Sequence, residues 1–96
     1  NILRVWGESE IYPEEFYDEC DKKGILIWQD FYLCYSMYSE EPDFLERCQR
    51  EAEQLVKRLR HHPCLLLWCG GNEMLLSRDY DYPKEECFGE KIIKEV

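Results

Sequence analysis

Glu73 closes the run Trp68-Cys69-Gly70-Gly71-Asn72-Glu73, just beyond the apolar stretch Cys64 to Trp68. A carboxyl group placed there beside apolar walls is expected to keep its proton above the usual carboxylate range, because burial disfavours the charged form. Such an acid can donate a proton to a leaving oxygen. Asn72 sets an amide next to it that can hold a hydroxyl. Two other apolar runs end in a similar way, in Arg4-Val5-Trp6-Gly7 and in Trp28-Gln29-Asp30-Phe31. Each end puts polar or charged groups beside a tryptophan. Aromatic rings stack on the apolar face of a pyranose while amides and carboxylates bind its hydroxyls, so the set suits a sugar. Spacing alone leaves a second reading open, since a Gly-Gly-Asn-Glu turn capping a helix has the same appearance.

These ends converge only if the segments before them are parallel strands. Ile2 to Trp6 is a short apolar run interrupted by Arg4. Pro13, Glu14 and Glu15 suit the start of a helix, Phe16, Tyr17 and Cys20 give it an apolar stripe, and Lys22, Lys23 and Gly24 suit its end. The pattern predicts a helix over 13–23. Ile25 to Trp28 follows at once and reads as a strand buried on both faces. Residues 32–41 form an aromatic-rich loop. Pro42 starts a second helix to about Arg60, with Phe44, Leu45, Cys48, Ala52, Leu55, Val56 and Leu59 on one face. Pro63 stops it before the third apolar run. A polar loop is expected over 74–83 and a last helical stretch from Lys84. The order β-α-β-α-β-α with continuously apolar strands predicts an α/β fold with a parallel sheet. Gly70-Gly71-Asn72 is not the glycine-rich phosphate turn of open nucleotide-binding sheets. Three strands do not by themselves separate an open doubly wound sheet from a barrel, but the missing turn favours a (β/α) barrel, of which about three βα units are present and whose active site sits at the C-terminal ends of the strands.

The net charge of −9 argues against a nucleic-acid partner, which selects basic patches. The basic cluster Lys57-Arg58, Arg60, His61 and His62 falls at the expected end of the second helix, where cations complement the helix dipole. It lies at the pole opposite the strand ends, so His61 and His62 are expected to be structural and not metal ligands. No apolar run approaches the ~20 residues that span a bilayer, so no membrane partner is expected. The six cysteines form no CxxC pair and mostly occupy positions for small apolar side chains. Reduced, buried thiols are the expectation, and with them a cytoplasmic location. The chain starts directly on an apolar run and stops in helix-like residues, as an internal piece of a larger protein would.

Asn1 to Gly7, Glu15-Phe16-Tyr17 to Cys20-Asp21, Gly24 to Phe31, Arg58 to Pro63 and Leu67 to Glu73, in this order, resemble the catalytic domain of glycoside hydrolase family 2. The branch resembled is that of the β-mannosidases, exo-β-glucosaminidases and endo-β-mannosidases, and the likeness runs from residue 1 to about 76. The resemblance implies a (β/α)8 barrel to which residues 1–96 contribute roughly strands two to four, and a retaining β-glycosidase activity without cofactor or metal. It implies that Glu73 is the general acid/base and that Asn72 binds the sugar 2-hydroxyl. Trp6 would line the sugar subsite, Arg4 would support the catalytic carboxylates, and Gln29 and Asp30 would face the site. The nucleophile, a Glu on a later strand in this family, matches no carboxylate here, so the chain alone is expected to be inactive. Two departures from many β-mannosidases stand out: Glu8-Ser9-Glu10 follows Gly7 in place of further glycines, and Gly71 precedes Asn72 in place of Asn. They leave the sugar open among family 2 substrates, including glucosaminides, galactosides and glucuronides.

Plainer roles stand beside these. Arg4 can be a strand-end surface cation, Trp6 core, and Asp30 a cap for the next segment. Trp28 and Trp68 are expected in the core. Tyr32, Tyr35 and Tyr38 suit a substrate cleft, but an interface or core role equally. Two rivals to an enzyme segment remain: a non-catalytic module that self-associates through open strand edges, and a cysteine-ligated metal domain. The partners expected of the enzyme are a carbohydrate substrate and the remaining domains of a longer protein.

Overall fold

The computed structural model describes residues 1–36 and 38–74. Strands and helices alternate: β1 (Ile2–Val5), α1 (Glu14–Lys23), β2 (Leu26–Asp30), α2 (Pro42–Leu59) and β3 (Leu65–Cys69). The strands lie in the order β1-β2-β3 and both pairs are parallel. This is the α/β arrangement expected. Apart from Met74, the loop anticipated over 74–83 and the helix from Lys84 lie outside the described residues, as does Cys87.

Local chemistry sets the helix ends. Pro13 has extended backbone angles and stands at the N-cap of α1, one position earlier than the first turn expected for it. Glu14 and Glu15 face the positive end of the helix dipole and Lys22 and Lys23 the negative end. Gly24 is left-handed (φ 65°), and this turn lets Gly24 N–H reach Asp21 O and Ile25 N–H reach Cys20 O. That pair of bonds satisfies carbonyls the helix cannot satisfy itself. α2 begins with Pro42 at its first position and buries Leu55 and Leu59.

The register sorts side chains to two faces. Arg4 pairs with Trp28, Val5 with Gln29, Gln29 with Trp68 and Asp30 with Cys69. Cross-strand partners share a face and neighbours along a strand alternate. Val5, Ile27, Leu65 and Trp68 thus face the helices, where they pack with Tyr17, Cys20, Leu55 and Leu59. Arg4, Trp28 and Asp30 point to the other side. There Ile2 and Trp28 remain 54% and 36% exposed. β2 is thus covered on its helix side, and on the other side Arg4 covers the buried Asp30 while Trp28 keeps an exposed surface. The five described cysteines are unpaired thiols, with Cys20, Cys34 and Cys64 buried.

The cations at the end of α2 bind α1. Arg58 Nε donates to Glu14 Oε1, and its Nη2 donates to Tyr12 O at 2.7 Å. His62 is 4% exposed, with Nδ1 2.7 Å from Asp21 Oδ2 and Nε2 3.1 Å from Glu14 Oε2. Asp21 also accepts the Cys64 backbone N–H at 2.7 Å. A doubly protonated imidazolium satisfies both carboxylates. The ligand atoms of Asp21, His62 and Cys64 lie within 4.8 Å of one another. Both ring nitrogens are engaged by carboxylates, however, and burial pushes the Cys64 thiol up to about 12, which is poor chemistry for a metal.

This triad links folding to pH. Burial pulls the His62 pKa down, but the hydrogen bonds to Asp21 and Glu14 outweigh it and the net shift is upward. Burial pushes Asp21 up, but its bonds to Cys64 and His62 outweigh that and the net shift is downward. Arg58, then His62, holds Glu14 down. A raised histidine stabilises fully below its ordinary value and loses that contribution as pH rises through the folded-state value. Depressed carboxylates stabilise above their ordinary values and lose that contribution as pH falls through the folded-state values. The triad therefore contributes most between about pH 4.3 and about pH 6.5. His62→Ala is expected to cost about 2–3 kcal/mol there and to flatten the fall in stability toward pH 8. Urea unfolding midpoints at pH 5.5 and 8 measure both effects, and an unchanged pH slope in the variant would separate the triad from folding.

Candidate active site

The guanidinium of Arg4, at the end of β1, ties the strand ends together. Its Nε donates to Asp30 Oδ1 at 3.2 Å and its Nη2 to Asp30 Oδ2 at 2.6 Å. Nη2 also donates to Asn72 Oδ1 at 2.9 Å. A fork of this kind fixes orientation as well as charge. The Arg4 guanidinium also lies over the Trp28 ring, 5.1 Å from its centroid. The Asp30 side chain is 0% exposed and the Arg4 side chain 41%. Asp30 is thus consumed in holding Arg4, and Arg4 still presents an edge to the open side.

Close backbone approach builds the floor. The Leu33 carbonyl accepts the Asn72 N–H at 2.8 Å, and Cys34 and Asn72 form a parallel bridge that carries β2–β3 pairing past the strand ends. A Cβ on Gly7 would stand 2.4 Å from that same Leu33 oxygen, and one on Gly71 2.8 Å from it. The segment after β2 therefore threads between the ends of β1 and β3, and only glycine on either flank leaves room. The turn delivers Asn72, 6% exposed, under Arg4. Glu73 follows with φ 54°, the sole non-glycine residue with positive φ among those described. A left-handed side-chain-bearing residue costs roughly 1–2 kcal/mol, and such strain persists where surrounding contacts over-determine it. The Glu73 charge acts on Arg4 and on Tyr35, which puts it at the same pole of the sheet.

Arg4, Asp30 and Asn72 are brought into one network with Glu73 adjacent, and Trp6 stands 39% exposed just past β1. Gln29 does not join them, a correction to the expectation that it faces the site. It is 0% exposed on the helix side, accepting from Tyr17 Oη at 2.8 Å and donating to the Asp30 carbonyl at 2.9 Å. The alternation of β2 sends it away from Asp30, so it braces the Asp30 backbone. Asp30 faces the right way but is too buried to meet a ligand. Glu73 is exposed and lacks the expected apolar walls among the described residues. Trp28, expected in the core, lies beneath Arg4. Its two-residue spacing from Asp30 was the signal for that. Cys34 carried no such signal, because a loop contact joins it to Asn72. Trp68 packs on the helix side as expected, its ring stacked on Phe31 at 5.3 Å.

Comparison with known proteins decides the family. The model of the glycosyl hydrolases family 2 TIM barrel domain matches residues 12–88. The chain belongs to glycosyl hydrolase family 2. Beta-mannosidase B of Thermothelomyces thermophilus is 46% identical over 85 residues, covering 88% of this chain and 9% of that protein. Beta-mannosidase of Rattus norvegicus is 45% identical over 73 residues, covering 76% of this chain and 8% of that one. The crystal structure of beta-D-mannosidase from Dictyoglomus thermophilum superposes with a TM-score of 0.93 at 40% identity, over 100% of this chain and 12% of the other. The family 2 model covers Asp30, Asn72 and Glu73, and the structural likeness extends over Arg4 and Trp6 as well. The three parallel strands and two helices are thus a segment of the family 2 TIM-barrel fold.

Proposed function

We propose that this segment supplies strands two to four of a (β/α)8 barrel that hydrolyses β-mannosides with retention, and that Glu73 is its general acid/base. The observation that carries the reading is the Arg4 guanidinium, held by Asp30 and itself holding Asn72, beside a Glu73 whose backbone is left-handed. The arrangement sets an amide, a cation and a carboxyl group at the C-terminal ends of the strands, where barrel active sites form. Asn72 binds the sugar 2-hydroxyl, Trp6 walls the sugar ring and Arg4 supports the catalytic carboxylates. The nucleophile is a carboxylate on a later strand of the longer protein, about 5–5.5 Å from Glu73. The rest of that barrel covers the open face of the sheet and shields Glu73 from water. The names of the relatives favour mannosides over other β-glycosides.

The test is a panel of 4-nitrophenyl β-glycosides offered to the full-length enzyme, with the anomer of the first product read by NMR. The β-mannoside is expected to be turned over at least tenfold faster than the β-galactoside, β-glucuronide or β-glucosaminide, with the β-anomer released first. Inversion, or preference for another sugar, would refute the reading.

A further inference from the structure

The side-chain amide of Asn72 is gripped at both ends. Its oxygen accepts from Arg4 Nη2 at 2.9 Å, and its nitrogen donates to Cys34 Sγ at 3.6 Å. Swapping the ends would turn the NH2 group against an arginine N–H, donor against donor, so Arg4 determines which end is oxygen. Arg4 alone does not fix the plane of the amide, because one hydrogen bond survives a limited swing of the carboxamide about its bond to Cβ. The second contact, at the sulfur, narrows that swing.

Cys34 is built into place. It is 4% exposed, its backbone N–H donates to Tyr38 Oη at 2.9 Å, and its strand bridge is to Asn72 itself. Tyr38 stacks on Phe44 in the first turn of α2, with ring centroids 6.0 Å apart, so the loop is anchored to a helix. Burial raises the pKa of the thiol, Asn72 opposes this and Glu8 adds to it. The net effect keeps the sulfur a neutral thiol, a weak acceptor of the amide N–H.

We infer that Cys34 is a positioning residue: it accepts one amide hydrogen of Asn72, so that the other hydrogen is held toward a substrate hydroxyl. Among the described residues that second hydrogen has no acceptor. The inference rests on the reading of Asn72 as a ligand of the sugar. Sulfur accepts weakly, so the effect is that of one ordinary hydrogen bond and not of a catalytic group.

The experiment is a double-mutant cycle in the full-length enzyme with 4-nitrophenyl β-D-mannoside. Cys34→Ala is expected to lower kcat/KM about five-fold, as loss of one neutral hydrogen bond does. In an Asn72→Ala background it should change kcat/KM by less than two-fold. Cys34→Ser, whose hydroxyl also accepts, should recover most of the loss. Cys34→Val fills the same space without an acceptor and repeats the measurement should the alanine variant fail to fold. Equal losses in both backgrounds, or no loss in either, would overturn the positioning role alone. An Asn72→Ala enzyme as active as its parent would instead overturn the reading of Asn72 on which the inference stands.

Discussion

Glu73→Ala in the full-length enzyme is expected to lower kcat on alkyl and disaccharide β-mannosides by 10²–10⁴, roughly the contribution of a positioned general acid. These leaving groups are strongly basic and depart only with a proton. On a 2,4-dinitrophenyl β-mannoside, whose leaving group departs as a stable anion, the first step should be nearly unaffected. The second step still needs a base to activate water, so a glycosyl-enzyme intermediate should accumulate and show a burst. Plotting log kcat/KM against leaving-group pKa is the measurement. The plot should be steep for the variant and shallow for the parent. Equal loss across the series would remove Glu73 from proton transfer. The left-handed backbone at Glu73 suggests a companion substitution. Glu73→Gly should relax the local strain and remove the acid together, with activity as low as in Glu73→Ala but without loss of stability at that residue.

The second large effect is Arg4→Ala. Asp30 is fully buried, and Arg4 is the cation of its ion pair. Deleting that partner leaves the Asp30 carboxylate without its cation in the recess that Arg4 covered. Removing one member of a buried pair costs about 3–5 kcal/mol. Because the Arg4 side chain is 41% exposed, the lower end of that range is expected. Asn72 loses its holder in the same step, so kcat/KM on a β-mannoside should drop at least 100-fold. Arg4→Lys keeps the charge but has no planar fork, and it cannot bond both Asp30 oxygens and Asn72 in the same geometry. It should fold better than Arg4→Ala and remain poorly active. Arg4→Met combined with Asp30→Leu separates the roles. Exchanging both charges for apolar groups should restore most of the stability lost in Arg4→Ala while activity stays low. Urea unfolding and mannosidase kinetics on the three variants measure this. A double variant as active as its parent would show that the Arg4 network is structural only.

Much of the arrangement is legible in the sequence. Pro42 marked the start of α2 and Gly24 the end of α1, because few residues tolerate those backbone angles and bonding demands. The apolar runs before Trp6, Trp28 and Trp68 marked three strands. Gln29 and Asp30 are neighbours in sequence and both polar, so composition does not say which face of the strand each takes. The pleat sends one to Tyr17 and the other to Arg4. The cations at the end of α2 looked like partners for the helix dipole, yet Arg58 and His62 bind carboxylates of α1.

The sequence by itself determined the order of the elements, their helix caps, their parallel pairing and the candidacy of Arg4, Asn72 and Glu73. The elements and caps depend on backbone preference and on apolar periodicity, both of which act over a few neighbouring residues, whereas the three site residues stood out by their place at strand ends and by the resemblance to family 2. Only the tertiary structure decided that Asp30 holds Arg4, that Gln29 braces from behind, that Trp28 lies beneath the guanidinium and that Cys34 reaches Asn72. Each of these contacts joins residues from different strand ends, and strand register together with the crowding of Leu33 between Gly7 and Gly71 sets their distance.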